Sequence, residues 1–134
     1  MLSKERRADL LAAARQAQAN AYAPYSNYRV GAALLTSSDV IYQGANIENA
    51  AYPDSICAER VAVFKAVSEG EKDFQAIAVV TRDGGAPCGS CRQVLAEFSL
   101  ETLVLVANEA GEVLREGTVA ELLPGAFGPS NLKA

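Results

Sequence analysis

Apolar residues recur at helical spacing near the start of the chain. Leu10, Ala14, Ala17 and Ala21 form one stripe among charged neighbours. The pattern predicts an amphipathic helix over 3–21, with Ser3 as N-cap and Glu5 in the first turn. Pro24 ends it at or before Ala23. Two short apolar runs, 29–36 and 40–43, flank Ser37-Ser38-Asp39 and read as a β-hairpin. The stretch 44–54 is polar and carries Asn46, Glu48, Asn49, Tyr52 and Pro53. It reads as a loop long enough to carry function.

Helical spacing returns at 57–69, where Val61, Phe64 and Val67 predict the buried face and Gly70 the C-cap. Residues 74–81 are almost continuously apolar, the pattern of a strand covered on both sides. A turn at 83–87 precedes a third helix over 88–98, apolar at Val94, Leu95 and Phe98. Runs 103–107 and 112–115, around Asn108-Glu109-Ala110-Gly111, predict a second hairpin. Thr118-Val119-Ala120-Glu121 fits a capping box that opens a short helix, and Pro124-Gly125 stops it. The tail from Gly128 is expected to fray. The predicted order is helix, hairpin, helix, strand, helix, hairpin, helix. The economical architecture is one α/β domain over 1–134, with a mixed sheet of about five strands and helices on both faces.

Composition sharpens this picture through an absence. Among 134 residues there is no histidine. That excludes Ser-His and Cys-His dyads and removes the commonest metal ligand. Any metal must be held by thiolate, carboxylate or backbone oxygen. The net charge of −4 argues against binding a phosphate backbone, so nucleic acid is not an expected partner. No apolar run approaches the ~20 residues of a membrane span. Asp9 and Arg15 interrupt the stretch that a signal peptide would need. Three cysteines are an odd count for a disulfide framework, and a reducing cytoplasm is the expected compartment.

Those cysteines are grouped. Cys88-Gly89-Ser90-Cys91 is a C-x2-C knuckle, and Cys57 lies at the start of another predicted helix. Taken alone, the knuckle suits a metal, a redox pair or two buried thiols. A helix start favours thiolate, the metal-binding form, through its free N–H groups and partial positive charge. Three thiolates leave one tetrahedral position of zinc open, as in catalytic sites, with Glu59 beside it as fourth ligand or as general base. Three thiolates around a dication also leave one net negative charge. Helix starts and Arg60 are the available offsets. One unit charge ~4 Å away contributes on the order of 4 kcal/mol at an effective dielectric of ~20. Asn46 and Glu48 alternate, so in extended chain both point the same way and suit the hydroxyls of a sugar.

Cys57-Ala58-Glu59 with Pro87-Cys88-Gly89-Ser90-Cys91 is the signature of zinc nucleobase deaminases. Further segments are Ala23-Pro24-Tyr25-Ser26, Val30-Gly31-Ala32-Ala33-Leu34, Asn46-Ile47-Glu48-Asn49-Ala50-Ala51-Tyr52 and Leu122-Leu123-Pro124-Gly125-Ala126-Phe127. Along nearly its whole length the chain resembles the short, three-cysteine cytidine deaminases. The resemblance implies a three-layer α/β/α fold and hydrolytic deamination of cytidine and deoxycytidine to uridine and deoxyuridine plus ammonia. It implies one Zn²⁺ on Cys57, Cys88 and Cys91, with Glu59 moving protons and Arg60 bonding ligand sulfurs. Asn46 and Glu48 would hold the sugar 3′-OH, Ala58 would contact the substrate, and the Pro87 carbonyl would accept from the departing amine. Tyr28 stands where the family usually has a Phe against the pyrimidine, and its added hydroxyl needs a partner. Ala50, Tyr52 and Phe127 resemble residues that complete active sites across a homotetramer. The competing readings are a deaminase of another aminated heterocycle, such as a nucleoside antibiotic, and a non-catalytic zinc-stabilised module. The Asn46-x-Glu48 pair argues against the first, and Glu59 against the second.

Overall fold

The structure, a computed structural model, describes residues 2–133. Helix α1 (Lys4–Gln18) leads into a hairpin of β1 (Gly31–Thr36) and β2 (Ile41–Ala45). Helix α2 (Ala58–Ser68), β3 (Phe74–Thr81), α3 (Gly89–Phe98), β4 (Leu103–Asn108), β5 (Val113–Thr118) and α4 (Val119–Leu122) follow. Short 3₁₀ turns occupy Tyr52–Asp54 and Pro129–Asn131. The five strands form one sheet in the order β2-β1-β3-β4-β5, with only the β3–β4 pairing parallel. The chain returns from β3 to β4 through α3, the crossover that a parallel pair requires.

Side-chain alternation along the central strands builds a core on each face. Ala33, Leu35, Ala76, Ala78, Val80, Leu105 and Ala107 meet Leu10 and Ala14 of α1. Ala32, Leu34, Ile77, Val104 and Val106 meet α2, α3 and α4 through Ala58, Ala62, Val63, Leu95 and Val119. The result is the expected α/β/α layering. β3 matches its predicted span residue for residue, and Thr118 and Glu121 form the expected reciprocal cap.

Three local expectations are corrected. First, α2 buries Ala58, Glu59, Ala62, Val63 and Ala66 rather than the Val61–Phe64–Val67 stripe. Phe64 is 46% exposed. The reason is close packing against β2, since a Cβ at Gly44 would come within 2.4 Å of the Ala58 carbonyl oxygen. Such an approach admits small side chains only. Second, the first helix stops at Gln18, and Ala21 is buried from a turn rather than from the helix. Third, Gly44 and Ala45 extend β2, and the polar edge strand β5 runs on to Thr118. Beyond the last strand, the tail makes a turn at Pro129–Asn131, closed by the Gly128 amide donating to Asn131 Oδ1 (2.9 Å).

Candidate active site

Two helix starts meet at one end of the sheet. Cys57 is the N-cap of α2 and Cys88 the N-cap of α3, both in extended conformation, and neither helix start has a side-chain cap. Cys91 lies in the first turn of α3 and is fully buried. The free first-turn amides of both helices are therefore available to the sulfurs. Cys57 Sγ lies 3.9 Å from Cys88 Sγ, and Cys88 Sγ lies 3.5 Å from Cys91 Sγ. All three sulfurs fall within 4.8 Å of one another, and no disulfide joins them. Zinc–sulfur bonds of about 2.3 Å in a tetrahedron separate ligand sulfurs by about 3.8 Å. The donor set therefore fits one Zn²⁺ with a fourth position left over, and a third convergent sulfur is one more than a redox pair needs.

The electrostatics agree with that fit. Arg60 Nη2 donates to Cys57 Sγ (3.3 Å), while its buried Nε has no partner among the described residues. The hydrogen bond from Cys91, opposed by burial and helped by Arg60, holds Cys57 down at about 5. Cys91 is pushed up, because its proton serves Cys57 and its surroundings are buried. Three thiols this close cannot all ionise without a cation between them. Burial, and then the charge on Cys57, raise Glu59 to about 7. A carboxyl group poised there can both take and return a proton at neutral pH.

Cys57, Glu59, Arg60 and Cys88 open onto a cavity of about 560 Å³, which Tyr28, Asn46, Glu48 and Tyr52 also line. Asn46 and Glu48 sit on the same side, as the alternation implied, but each already holds backbone. Asn46 Oδ1 accepts from the Val30 amide and its Nδ2 donates to the Tyr28 carbonyl, both at 2.9 Å. Glu48 accepts from the amides of Tyr25 (2.9 Å) and Ser26 (3.1 Å) and from the Ser26 hydroxyl. Tyr28 finds its partner in Asp83 Oδ1, at 2.6 Å.

The remaining expected residues are more dispersed. Ala58 is buried beneath the site, and Ala50 is exposed and off the cavity wall. Tyr52 stands edge-on to Tyr25, with ring centroids 5.9 Å apart, and is 70% exposed. Phe127 is 58% exposed and lies away from this cavity. The Pro87 carbonyl accepts from Arg92 Nε (2.8 Å), and Arg92 Nη1 also reaches the Leu122 carbonyl (2.8 Å). Sequence reasoning assigned no role to Arg92, although it directly follows a ligand cysteine. Asp83 belongs to a turn in the sequence pattern, and nothing in local spacing pairs it with Tyr28.

Residues 4–107 match the family described as the cytidine and deoxycytidylate deaminase zinc-binding region. The chain belongs to that family. A cytidine deaminase of Sporosarcina psychrophila is 51% identical over 126 residues, covering 92% of each chain. One from Halalkalibacterium halodurans is 53% identical over 121 residues, covering 88% of this chain and 91% of the relative. The crystal structure of cytidine deaminase from Burkholderia pseudomallei superposes with a TM-score of 0.86 at 45% identity, covering 90% of this chain and 98% of that one.

Proposed function

We propose that this chain is a zinc-dependent cytidine deaminase. It hydrolyses cytidine and deoxycytidine to the uracil nucleosides, releasing ammonia. The observation that carries this reading is the convergence of three sulfurs beside a buried carboxyl group at about 7, on the wall of a nucleoside-sized cavity. Cys57, Cys88 and Cys91 would hold a zinc ion, which when bound would supply an activated water and Lewis acidity. Glu59 accepts a proton from that water. It passes that proton to ring N3 as the water oxygen bonds to C4, then takes the second proton of the same oxygen and passes it to the departing amine as the C4–N bond breaks. Arg60 offsets the surplus thiolate charge. Asn46 and Glu48 face the sugar 3′-OH, Tyr28 and Ala58 border the base, and the Pro87 carbonyl accepts from the amine.

A homotetramer is the assembly this reading favours, with Ala50, Tyr52 and Phe127 reaching a neighbouring cavity. The exposed side chains of Tyr22, Ile47, Phe64 and Phe127 support it, because apolar groups of that size suit an interface. No helix among the described residues is long and apolar enough to cross a membrane, which fits the cytoplasmic location we favour. A single domain over 1–134 is supported by the continuous five-stranded sheet.

The decisive experiment follows ultraviolet absorbance on mixing the zinc-loaded protein with cytidine, deoxycytidine, CMP and adenosine. Turnover of the first two alone is expected, and turnover of none would sink the reading. Glu59→Gln should retain zinc and lose turnover by at least ~10²-fold. Retained activity would remove Glu59 from proton transfer. Light scattering on the intact protein tests the tetramer.

A further inference from the structure

The loop 82–87 joins β3 to the α3 start, and its Gly85 and Ala86 line the cavity next to Cys88. Its two ends are anchored. At the β3 end, the buried Thr81 hydroxyl oxygen accepts from the Gly84 and Gly85 amides, both at 2.8 Å. At the α3 end, Arg92 holds the Pro87 carbonyl. Leu114 of β5 packs against Gly84, and the loop is reached from across the cavity as well. Tyr28 donates from its hydroxyl to Asp83 Oδ1 at 2.6 Å, and Arg82 lies over its ring at 5.3 Å from the centroid. The ring tip also bears on the loop backbone: a Cβ at Gly85 would stand 2.4 Å from the Tyr28 hydroxyl oxygen. Tyr28 is itself fixed from the opposite wall, where its carbonyl accepts from Asn46 Nδ2 (2.9 Å) and its amide donates to Ser26 Oγ (3.0 Å).

We propose that Tyr28 and Asp83 form a positioning pair, a strut across the cavity that holds the Gly84–Ala86 backbone at the spacing the nucleoside requires. The inference rests on the cavity being the nucleoside site. A phenylalanine would fill the same space up to the ring but leave Asp83 Oδ1 with only the longer contact from the Thr81 hydroxyl (3.5 Å) and the strut one atom short. The hydroxyl therefore links the Asn46 wall to the loop that ends in Cys88. The pair acts on how tightly nucleoside is held, because neither residue is bonded to Glu59 or to a sulfur.

The test uses the zinc-loaded protein with cytidine and the variants Tyr28→Phe, Asp83→Ala, Asp83→Asn and the Tyr28→Phe/Asp83→Ala double variant. Each of Tyr28→Phe and Asp83→Ala should raise KM about tenfold with kcat within about twofold, and the double variant should be no worse than either. Asp83→Asn keeps an acceptor oxygen and should recover most of the loss. Hydrogen exchange at the Gly84 and Gly85 amides should quicken in Tyr28→Phe, independently of turnover. Additive KM effects, an unchanged KM, a fall in kcat alone, or unchanged exchange would each overturn the strut. If the wild-type protein fails to deaminate cytidine while exchange still quickens in Tyr28→Phe, the deaminase reading fails and the mechanical link stands.

Discussion

The two walls of the cavity are held by opposite means. On the sulfur wall, Cys57, Cys88 and Cys91 are placed by helix starts, and the backbone needs nothing from their side chains in return. On the opposite wall, Asn46 and Glu48 are themselves the fasteners that hold the 22–30 segment in place. A change on the first wall acts on the frame only through the metal that the sulfurs would hold. A change on the second wall removes a contact and loosens the frame together. The difference teaches that a polar residue facing a ligand can have its geometry set by the loop it secures.

The strongest way to break this contrast is Cys88→Ala. Structural zinc is worth roughly 10–16 kcal/mol in small peptides near neutral pH. The variant should therefore lose zinc and most of its thermal stability, read by metal analysis and a melting scan. Retention of both would show that the sulfur wall does not depend on the metal. Arg60→Gln should be milder: the fold persists and zinc affinity falls ~10–100-fold, measured by competition with a chelator. The acid limb of its rate profile should also move, and an unmoved limb would weigh against charge compensation by Arg60.

On the opposite wall, Asn46→Ala leaves the Val30 amide and Tyr28 carbonyl without their side-chain partner. It should destabilise the protein by about 1–3 kcal/mol in denaturant titration, besides impairing substrate binding. An effect on KM with no effect on stability would make Asn46 a pure ligand contact and dissolve the contrast. The smallest effect concerns Glu48. The Ser26 hydroxyl, aided by the Tyr25 and Ser26 amides, holds its carboxylate below the ordinary 4.5. A depressed carboxylate stabilises the fold fully above pH 4.5, and that contribution fades as pH falls through the lower folded value. The stability gap between wild type and Glu48→Gln should therefore be widest near neutrality and close on acidification. A gap that widens with acid would reverse the assignment.

Legibility in the sequence followed the range of the forces involved. β3 reads correctly because both faces of a central strand are covered, so its apolar run is unbroken. The Thr118–Glu121 cap reads correctly because both partners lie within one turn. β5 extends beyond its apolar run because an edge strand with exposed Leu114, Arg115 and Glu116 carries little burial signal. The α2 face departs from its sequence periodicity for a tertiary reason. Gly44 admits the helix so closely that Ala58 and Ala62 lie buried against β2, and Phe64 turns to solvent. Of the predicted stripe, Phe64 is left on the surface while Val61 and Val67 are partly buried.

Spacing and residue type by themselves determined the donor set. No histidine, three cysteines at two helix starts and one carboxylate two positions after the first leave few chemistries open, because capping and coordination act over short stretches of chain. Only the tertiary structure decided the rest. Burial across the sheet end raises Glu59 to about 7, and the sulfurs converge to 3.5 and 3.9 Å although Cys57 and Cys88 lie far apart in the chain. The same packing gives the Tyr28 hydroxyl its partner in Asp83, and it makes Asn46 and Glu48 parts of the frame. Desolvation and long-range hydrogen bonds depend on which segments are packed together, and no local spacing carries that information.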